Sequence, residues 1–276
     1  MKTAQPATTD PATTGAAQLP IGVYDPDALT SWTSVAAFGR QAGQSVRYAL
    51  AYLGPDDEFP EQFALEAAAN GAEPVLQLEP TMSMAKIAAG GDDAYLTRLA
   101  DAIRDYGYPV IVSFAAEANG NWYQYGWTLT PVADYQAAWA HVMRVMRDAA
   151  NITWMDTLNR DYQGAGPIAD YVVPGVDMYG IDAYYETADD TFDTVFLPTL
   201  KQIRAVTDKP VMINETGIGQ LNSQVKSIPG LVSGARANHL AGLIYFNSDQ
   251  GTASPYHQNW ALTPAAMAVL RESLKS

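Results

Sequence analysis

The chain has 276 residues, a length that suits one large domain such as an α/β barrel. Its formal net charge of −14 argues against nucleic acid and anionic lipid as partners, because their phosphates would be repelled, whereas a neutral sugar meets no such penalty. The absence of cysteine excludes thiol chemistry, and no apolar stretch of about 18 residues predicts a membrane span.

The first 18 residues differ in composition from the rest of the chain. Alanine and threonine make up most of this segment, which has no aromatic residue and no apolar periodicity. Such a segment buries too little surface to offset the entropy lost on ordering, so residues 1–18 are predicted to be a disordered tail or linker. The segment lacks the apolar core of a signal peptide. Because Thr/Pro/Ala linkers are common beside exported catalytic domains, we expect a secreted protein; a tail added in cloning would have the same composition.

From residue 19 onward, one unit recurs along the chain: a short apolar run, a polar turn and an alanine-rich stretch of helical period. The predicted strands are 21–26, 47–54, 73–80, 108–117, 151–159, 176–185, 209–217 and 241–249. Predicted helices include 92–107, 131–150 and, at the end of the chain, 263–275. Eight such units predict a single-domain (β/α)8 TIM barrel over residues 19–276. The alternative, a doubly wound open sheet, normally carries a glycine-rich phosphate-binding turn that is absent here.

Polar or aromatic side chains stand where each apolar run stops. They are Asp25, Tyr52, Glu79, Glu117, Asp156, Asn159, Asp182, Tyr184, Tyr185, Asn214, Glu215, Asn247 and Asp249. In a (β/α)8 barrel the active site lies at the C-terminal ends of the strands. The sequence therefore predicts a site built from these positions.

Two glutamates have the most informative surroundings. Glu117 ends the fourth strand and leads into "NGNWYQYGW", and aromatic faces bind the apolar faces of sugar rings. Glu215 ends the seventh strand in "INETG", where Asn214 can orient it and Gly217 can allow close approach of a ligand. Two carboxylates about 5–5.5 Å apart across one cleft belong to a retaining glycosidase, and a wider gap indicates inversion. The alternative is that each glutamate caps a helix or pairs with an arginine.

Several motifs resemble glycoside hydrolase family 26. "AEANGNWYQYG" resembles the family signature "HEMNGxWxPWG", and "PVMINETG" resembles the strand that carries the nucleophile. "IGVYDP" and "VLQLEP" are similar to the first and third strands, and "AGLIYFNSD" followed by "NWAL" is similar to the eighth strand and its "DWRL" loop. The similarity spans residues 21–262. It implies a clan-A (β/α)8 barrel with Glu117 as acid/base and Glu215 as nucleophile. It also implies a β-linked substrate: most commonly β-1,4-mannan, otherwise mixed-linkage β-glucan or β-1,3-xylan.

Three positions depart from the family pattern. Ala116 stands where the family has histidine, Ala118 where it has methionine, and Ser113 where it often has arginine. The missing histidine is expected to contact the sugar or the nucleophile in the −1 subsite, the pocket for the ring being cleaved. Residues that can substitute for it are Asn119, Asn214, Tyr184 and His257. We expect the reaction class to be retained, and the choice of sugar stays open.

The aromatic residues divide into sugar platforms and packing residues. Trp122, after the acid, and Trp260, after the eighth strand, are predicted to be sugar platforms. For Tyr123 and Tyr125, sugar binding and loop packing are equally compatible with the sequence.

Other polar residues are predicted to support the site. Tyr184 is predicted to donate a hydrogen bond to the nucleophile; Tyr185 competes for this role, because strand alternation sends the two side chains to opposite faces. Glu79 and Asp25 are candidates for binding sugar hydroxyls, with helix capping or ion pairing as the alternative. His141 lies on an amphipathic stripe and is predicted to be structural.

The predicted function is an endo-acting retaining β-glycoside hydrolase that acts as a monomer on polysaccharide, without cofactor or metal. One alternative is a barrel that binds glycan without cleaving it, as the alanine at position 116 suggests. Another is a metal-dependent barrel hydrolase, which the lack of clustered histidines disfavours.

Overall fold

The computed structural model describes residues 18–161, 164–220, 222–251 and 258–275. The predicted N-terminal tail lies outside this range except for its last residue, and His257 also lies outside it. No helix within the described ranges is long and apolar enough to cross a membrane.

Eight parallel strands form a closed barrel in sequence order, which confirms the predicted (β/α)8 architecture. The strands are β1 Ile21–Tyr24, β2 Tyr48–Leu53, β3 Glu73–Leu78, β4 Val110–Phe114, β5 Ile152–Asn159, β6 Met178–Asp182, β7 Val211–Thr216 and β8 Leu243–Phe246. Each lies within the predicted strand or coincides with it, and β1 pairs with β8 to close the ring.

Helices surround the barrel. They are α1 Thr33–Ala42, α2 Glu61–Ala69, α3 Met84–Ala88, α4 Asp93–Tyr106, α5 Val132–Val145, α6 Phe192–Val195, α7 Leu197–Val206, α8 Gln224–Ala237 and α9 Pro264–Lys275. The predicted helix 131–150 ends at Val145, because the chain turns through residues 146–149 to enter β5. In the described part of the β5–β6 connection, the helical segment is a single 3-10 turn, Ile168–Asp170.

Two contacts of α5 explain the predicted structural role of His141. Its Nε2 atom lies 2.6 Å from Oδ1 of Asp93 on α4, and its Nδ1 atom lies 2.6 Å from the guanidinium of Arg144. His141 therefore links two neighbouring helices on the outside of the barrel.

The barrel interior is apolar at its centre and polar above it. One side chain from each of seven strands forms the apolar layer: Leu50, Val75, Ile111, Met155, Met178, Met212 and Ile244. Because side chains alternate along a strand, the residues two positions later also point inward. These include the buried polar residues Gln77, Ser113, Thr157 and Asn214. The polar layer forms the base of the site described next.

Candidate active site

A cleft of about 690 Å³ opens at the C-terminal ends of the strands. It is lined by Tyr24, Tyr52, Glu79, Glu117, Asn121, Trp122, Tyr123, Asn159, Arg160, Ala183, Tyr184, Glu186, Glu215, Phe246, Gln250 and Trp260. Both predicted carboxyl groups therefore belong to the same cleft, together with most of the predicted sugar-binding residues.

The backbone changes direction where β4 delivers Glu117. Ala115 and Glu117 have φ angles of 48° and 60°, in the left-handed region that non-glycine residues rarely adopt. Such a conformation costs about 1–3 kcal/mol and persists where surrounding contacts impose it. Two of those contacts are the N–H of Glu117, which donates to the carbonyl of Thr157 at 2.8 Å, and the N–H of Gly120, which donates to the carbonyl of Glu117 at 2.7 Å.

The carboxyl group of Glu117 accepts hydrogen bonds at both oxygens. Trp122 Nε1 donates to Oε2 at 2.9 Å, and Asn159 Nδ2 donates to Oε1. Burial, followed by the negative charge of Glu215, raises the pKa of Glu117 to about 8, although the two N–H donors oppose this shift. The raised pKa favours the protonated form of Glu117 at neutral pH.

Glu215 enters the cleft because of an irregularity in β7. Met212 and Asn214 point into the barrel, so strict alternation would send Glu215 outward. The pairing of β7 with β6 and β8 shifts register after Ile213, so that Asp182 lies opposite Glu215. Such a bulge places an extra residue in one strand and re-aims the side chain that follows.

Three donors converge on the carboxylate of Glu215. The hydroxyls of Tyr52 and Tyr184 donate to Oε1 and Oε2, each at 2.6 Å, and Gln77 Nε2 also donates to Oε1. Burial raises the pKa of Glu215 above its ordinary value, against the hydrogen bonds from Tyr184 and Tyr52, which lower it. Donation from O–H and N–H groups stabilises the ionised carboxylate, which is the form that a nucleophile requires.

Aromatic rings form the wall of the cleft beside Glu215. Tyr24 stacks on Phe246 with ring centroids 4.4 Å apart, and Tyr184 lies against Trp260 at 4.6 Å. Gly217 makes room for the Trp260 ring, because a Cβ atom at this position would lie 2.8 Å from it. The expectation that Gly217 admits a ligand is therefore corrected: the space is filled by Trp260.

Trp122 and Tyr123 form the opposite side of the cleft. Trp122 is 37% exposed, as a sugar platform requires, and it also contacts Glu117. The Tyr123 hydroxyl donates to Oε1 of Glu79 at 2.9 Å, and its ring stacks on Tyr125 at 4.8 Å. Tyr125 is buried and does not line the cleft, so of the two tyrosines the structure places Tyr123 in the site.

Two predicted sugar-binding asparagines lie outside the cleft, and both predictions are wrong. Asn119 is fully buried, and its side chain pairs with the main chain of Asn159 through two hydrogen bonds of 2.9 Å. Asn214 is also fully buried and donates to Oδ1 of Asp182 at 3.0 Å inside the barrel. Neither is therefore placed to bind the sugar.

Of the next four predicted positions, Tyr184 lines the cleft, and Tyr185, Asp25 and Asp156 do not. Tyr184 contacts Glu215, as predicted, whereas its competitor Tyr185 is fully buried and packs against Phe196. Asp25 accepts a hydrogen bond from the N–H of Asp27 at 3.1 Å and does not line the cleft. Asp156 is fully buried and accepts hydrogen bonds from Tyr135 and from the N–H of Val173.

Sequence reasoning missed several residues of the site. Gln77 stands out as a polar residue in an apolar strand two positions before Glu79, and this is a signal for an inward-facing polar side chain. Arg160 and Glu186 form an ion pair of 2.5 Å at the edge of the cleft. Both follow strand ends, but nothing in their local sequence distinguishes them from surface charges.

In the described part of the chain, no group of three or more histidine or acidic side chains is arranged to hold a metal ion. The chemistry available in the cleft is that of two hydrogen-bonded carboxyl groups surrounded by aromatic rings. A (β/α)8 barrel with such a cleft has the architecture of a glycoside hydrolase.

The comparison with known families agrees with this class. Residues 33–225, well over half of the chain, match glycosyl hydrolase family 26. The chain belongs to this family.

Individual relatives are distant. Endoglucanase H of Acetivibrio thermocellus is 26% identical over 227 residues, which cover 74% of this chain and 24% of that protein. This chain thus spans about a quarter of the length of this curated relative. Among solved structures, a modular endo-β-1,4-mannanase of Cellulomonas fimi matches with a TM-score of 0.72 at 14% identity, covering 94% of this chain and 71% of that one. A β-mannanase of Bacteroides ovatus matches with a TM-score of 0.67 at 14% identity, covering 91% and 86%. These structural matches show the shared fold.

Proposed function

We propose that the protein is a retaining glycoside hydrolase that cleaves β-linked polysaccharide, with Glu215 as nucleophile and Glu117 as acid/base. The observation that carries the proposal is the contrast between two carboxyl groups in one cleft. Glu215 accepts hydrogen bonds from three donors, which favours its ionised form. Glu117 has a pKa raised to about 8, which favours its protonated form. Carboxyl groups with different hydrogen-bond partners can take different roles in glycoside hydrolysis.

The reaction proceeds in two displacements. A carboxylate oxygen of Glu215 bonds to the anomeric carbon as the glycosidic C–O bond breaks, and Glu117 transfers its proton to the departing oxygen. Water then attacks the anomeric carbon of the glycosyl-enzyme, Glu117 takes up a proton from that water, and the ester bond to Glu215 breaks. The product keeps its anomeric configuration, and both carboxyl groups return to their starting states.

The surroundings of the two groups suit these roles. Trp122 and Asn159 each donate an N–H to a carboxyl oxygen of Glu117. The carboxyl proton of Glu117 therefore lies at a position that neither hydrogen bond occupies. Tyr52 and Tyr184 bind different oxygens of Glu215 and so hold the plane of the carboxylate. A carboxylate held in this way needs little reorganisation before it attacks.

The proposed substrate is a neutral β-linked glycan. Trp122 and the half-buried Tyr24 offer ring surface for sugars, and the cleft holds several carboxyl groups that would repel an anionic polymer. The names of the relatives, an endoglucanase and mannanases, support β-glucan and β-mannan, and β-1,3-xylan completes the set of candidates. Since such polymers lie outside the cell, we also propose that the enzyme is secreted.

The test follows the release of reducing ends from β-mannan, lichenan and β-1,3-xylan by wild type, Glu215→Ala and Glu117→Ala. Glu58, an exposed glutamate outside the cleft, provides the matched control Glu58→Ala. We expect the wild type and the control to degrade at least one glycan. Both active-site variants should lose at least about 100-fold in rate, the lower range for a positioned acid or base. Equal rates for wild type and Glu215→Ala on every degraded glycan would refute the assignment.

One observation favours a second candidate function, a barrel that binds glycan without cleaving it. Ala116 is buried beside the acid/base and offers no polar group at a position where the resembling family has histidine. Binding of manno- and gluco-oligosaccharides, measured by calorimetry in the absence of any hydrolysis, would support this function and reject the first.

A further inference from the structure

Asn119 contacts the cleft through one intermediate residue. Its side chain is fully buried two residues after Glu117. The side-chain Nδ2 donates to the carbonyl of Asn159 at 2.9 Å, and Oδ1 accepts from the N–H of Asn159 at the same distance. Both main-chain groups of Asn159 are thus paired with a single amide, and the end of β5 is held to the loop after β4.

The side chain of Asn159 extends this contact to the acid/base. Its Nδ2 atom donates to Oε1 of Glu117. Hydrogen bonds hold both the N–H and the carbonyl of Asn159. Its backbone is therefore fixed, and so is the point from which its side chain extends toward Glu117. The N–H of Glu117 donates to the carbonyl of Thr157, so the strained segment is tied to the same strand a second time. The pairing of Asn119 with the main chain of Asn159 is named the Asn119–Asn159 clasp.

We propose that Asn119 is a positioning residue for the reaction: the clasp holds Asn159, and Asn159 holds the carboxyl group of Glu117 toward the leaving oxygen. This inference rests on the proposed function, in which Glu117 is the general acid. In this role the side chain of Asn119 must be buried and paired with the main chain of Asn159, which explains why it does not line the cleft.

The clasp has a chemical consequence that a merely structural contact lacks. An N–H donor on a carboxylate stabilises the ionised form, so the hydrogen bond from Asn159 lowers the pKa of Glu117. The charges of Glu215 and Glu79, on β7 and after β3, act in the opposite direction and are unchanged when the clasp is removed. Loss of the clasp should therefore raise the pKa of Glu117.

The experiment compares Asn119→Ala, Asn159→Ala and the double variant with a matched control. Asn151 also clasps main chain, since its Nδ2 donates to the carbonyls of Ile103 and Tyr108 at 2.7 and 2.8 Å, but it precedes β5 at the other end of the barrel. Asn151→Ala therefore measures the effect of losing such a contact without any link to Glu117.

We expect the rate on polysaccharide to fall about ten-fold in Asn119→Ala, which is part of the 100-fold or greater contribution of a positioned acid. On a glycoside with a 2,4-dinitrophenolate leaving group, whose departure needs no proton, kcat/KM, which reports the first displacement, should fall less than about two-fold. The alkaline limb of the pH profile should move to higher pH. The double variant should be no slower than Asn159→Ala, because residues acting through one another are not additive.

A titration of the Glu117 side-chain carboxyl by ¹³C NMR gives a readout that does not depend on activity. A higher pKa in Asn119→Ala, with no change in Asn151→Ala, supports the clasp even if the wild type cleaves no glycan and the proposed function fails. Two results would overturn the inference. One is an equal loss of rate on the polysaccharide and on the dinitrophenyl glycoside in Asn119→Ala, matching the Asn151→Ala control. The other is an unchanged pKa of Glu117 in Asn119→Ala. If Asn119→Ala does not fold, Asn119→Ser, whose shorter polar side chain cannot make the two-point contact with Asn159, carries the same predictions.

Discussion

At the scale of single residues, the different hydrogen-bond partners of two glutamates determine their proposed roles. The sequence identified both residues, but their states depend on partners from distant strands. Tyr52 and Tyr184 reach Glu215 from β2 and the end of β6, and Asn159 reaches Glu117 from β5. No local sequence pattern specifies these contacts, because closure of the barrel creates them.

The pH dependence of activity should report the ionisation of Glu117. Its pKa is raised to about 8, and the general acid works only when protonated, so activity on polysaccharide should fall as the pH rises through about 8. In kcat/KM for a dinitrophenyl glycoside, whose leaving group needs no proton, wild type and Glu117→Ala should both lack this alkaline limb. The measurement follows kcat/KM against pH for wild type on both substrates and for the variant on the dinitrophenyl glycoside, and a limb that persists on the dinitrophenyl glycoside would assign it to another group.

The same shift predicts how stability depends on pH. Burial raises the pKa of Glu117 from its ordinary 4.5 to about 8, so the folded state holds a proton that the unfolded state releases between these values. Its stabilising contribution is complete below about pH 4.5 and is lost as the pH rises through about 8. Glu117→Gln cannot lose this proton. We expect its Tm advantage over wild type to grow from pH 5 to pH 8 and then level off, whereas a constant difference would contradict the shifted pKa.

Tyr184 offers a test with a neighbouring control. Tyr184→Phe removes a donor to Glu215, so kcat should fall about ten-fold and the acid limb of the pH profile should move to higher pH. Tyr185→Phe removes a buried hydroxyl that has no hydrogen-bond partner in the described residues, so activity and stability should hardly change. Equal effects in kinetic assays of the two variants would show that Tyr184 does not act on Glu215.

At the scale of elements, irregular backbone brings the reacting groups into the cleft. The bulge in β7 turns Glu215 inward, and the left-handed φ of Glu117 turns the chain where β4 ends. The prediction that Asn214 binds sugar was wrong for this reason, because in β7 the inward position of the regular strand belongs to Asn214. A period of two residues cannot predict a bulge, which depends on pairing with the neighbouring strands.

The packing of Trp260 on β7 predicts a specific effect of Gly217→Ala. The new Cβ atom would lie 2.8 Å from the indole and displace it, so KM for polysaccharide should rise several-fold with a smaller change in kcat. Gly230 in α8 has open space around it, and alanine is a better helix former by about 0.5–1 kcal/mol, so Gly230→Ala should keep full activity and raise Tm. An unchanged KM in Gly217→Ala would mean that Trp260 does not bind the substrate.

At the scale of the whole molecule, the sequence predicted the architecture well because each strand is a short apolar run bounded by turns. All eight strands and the closed barrel agree with that pattern. It also located the cleft, since the ends of parallel strands meet at one face. The partner of each polar side chain was less predictable: Asn119 and Asn214 stand near the two glutamates in sequence, yet their side chains bond to Asn159 and Asp182.

In the proposed mechanism, Glu215 forms a covalent bond to the sugar. The most direct measurement incubates the enzyme with an activated 2-deoxy-2-fluoro β-glycoside of the sugar that it releases, and locates the adduct by peptide mass spectrometry. We expect one glycosyl group on the peptide that contains Glu215 and retained configuration in the natural product. A label on another residue, or an unlabelled enzyme whose product has the inverted configuration, would contradict it.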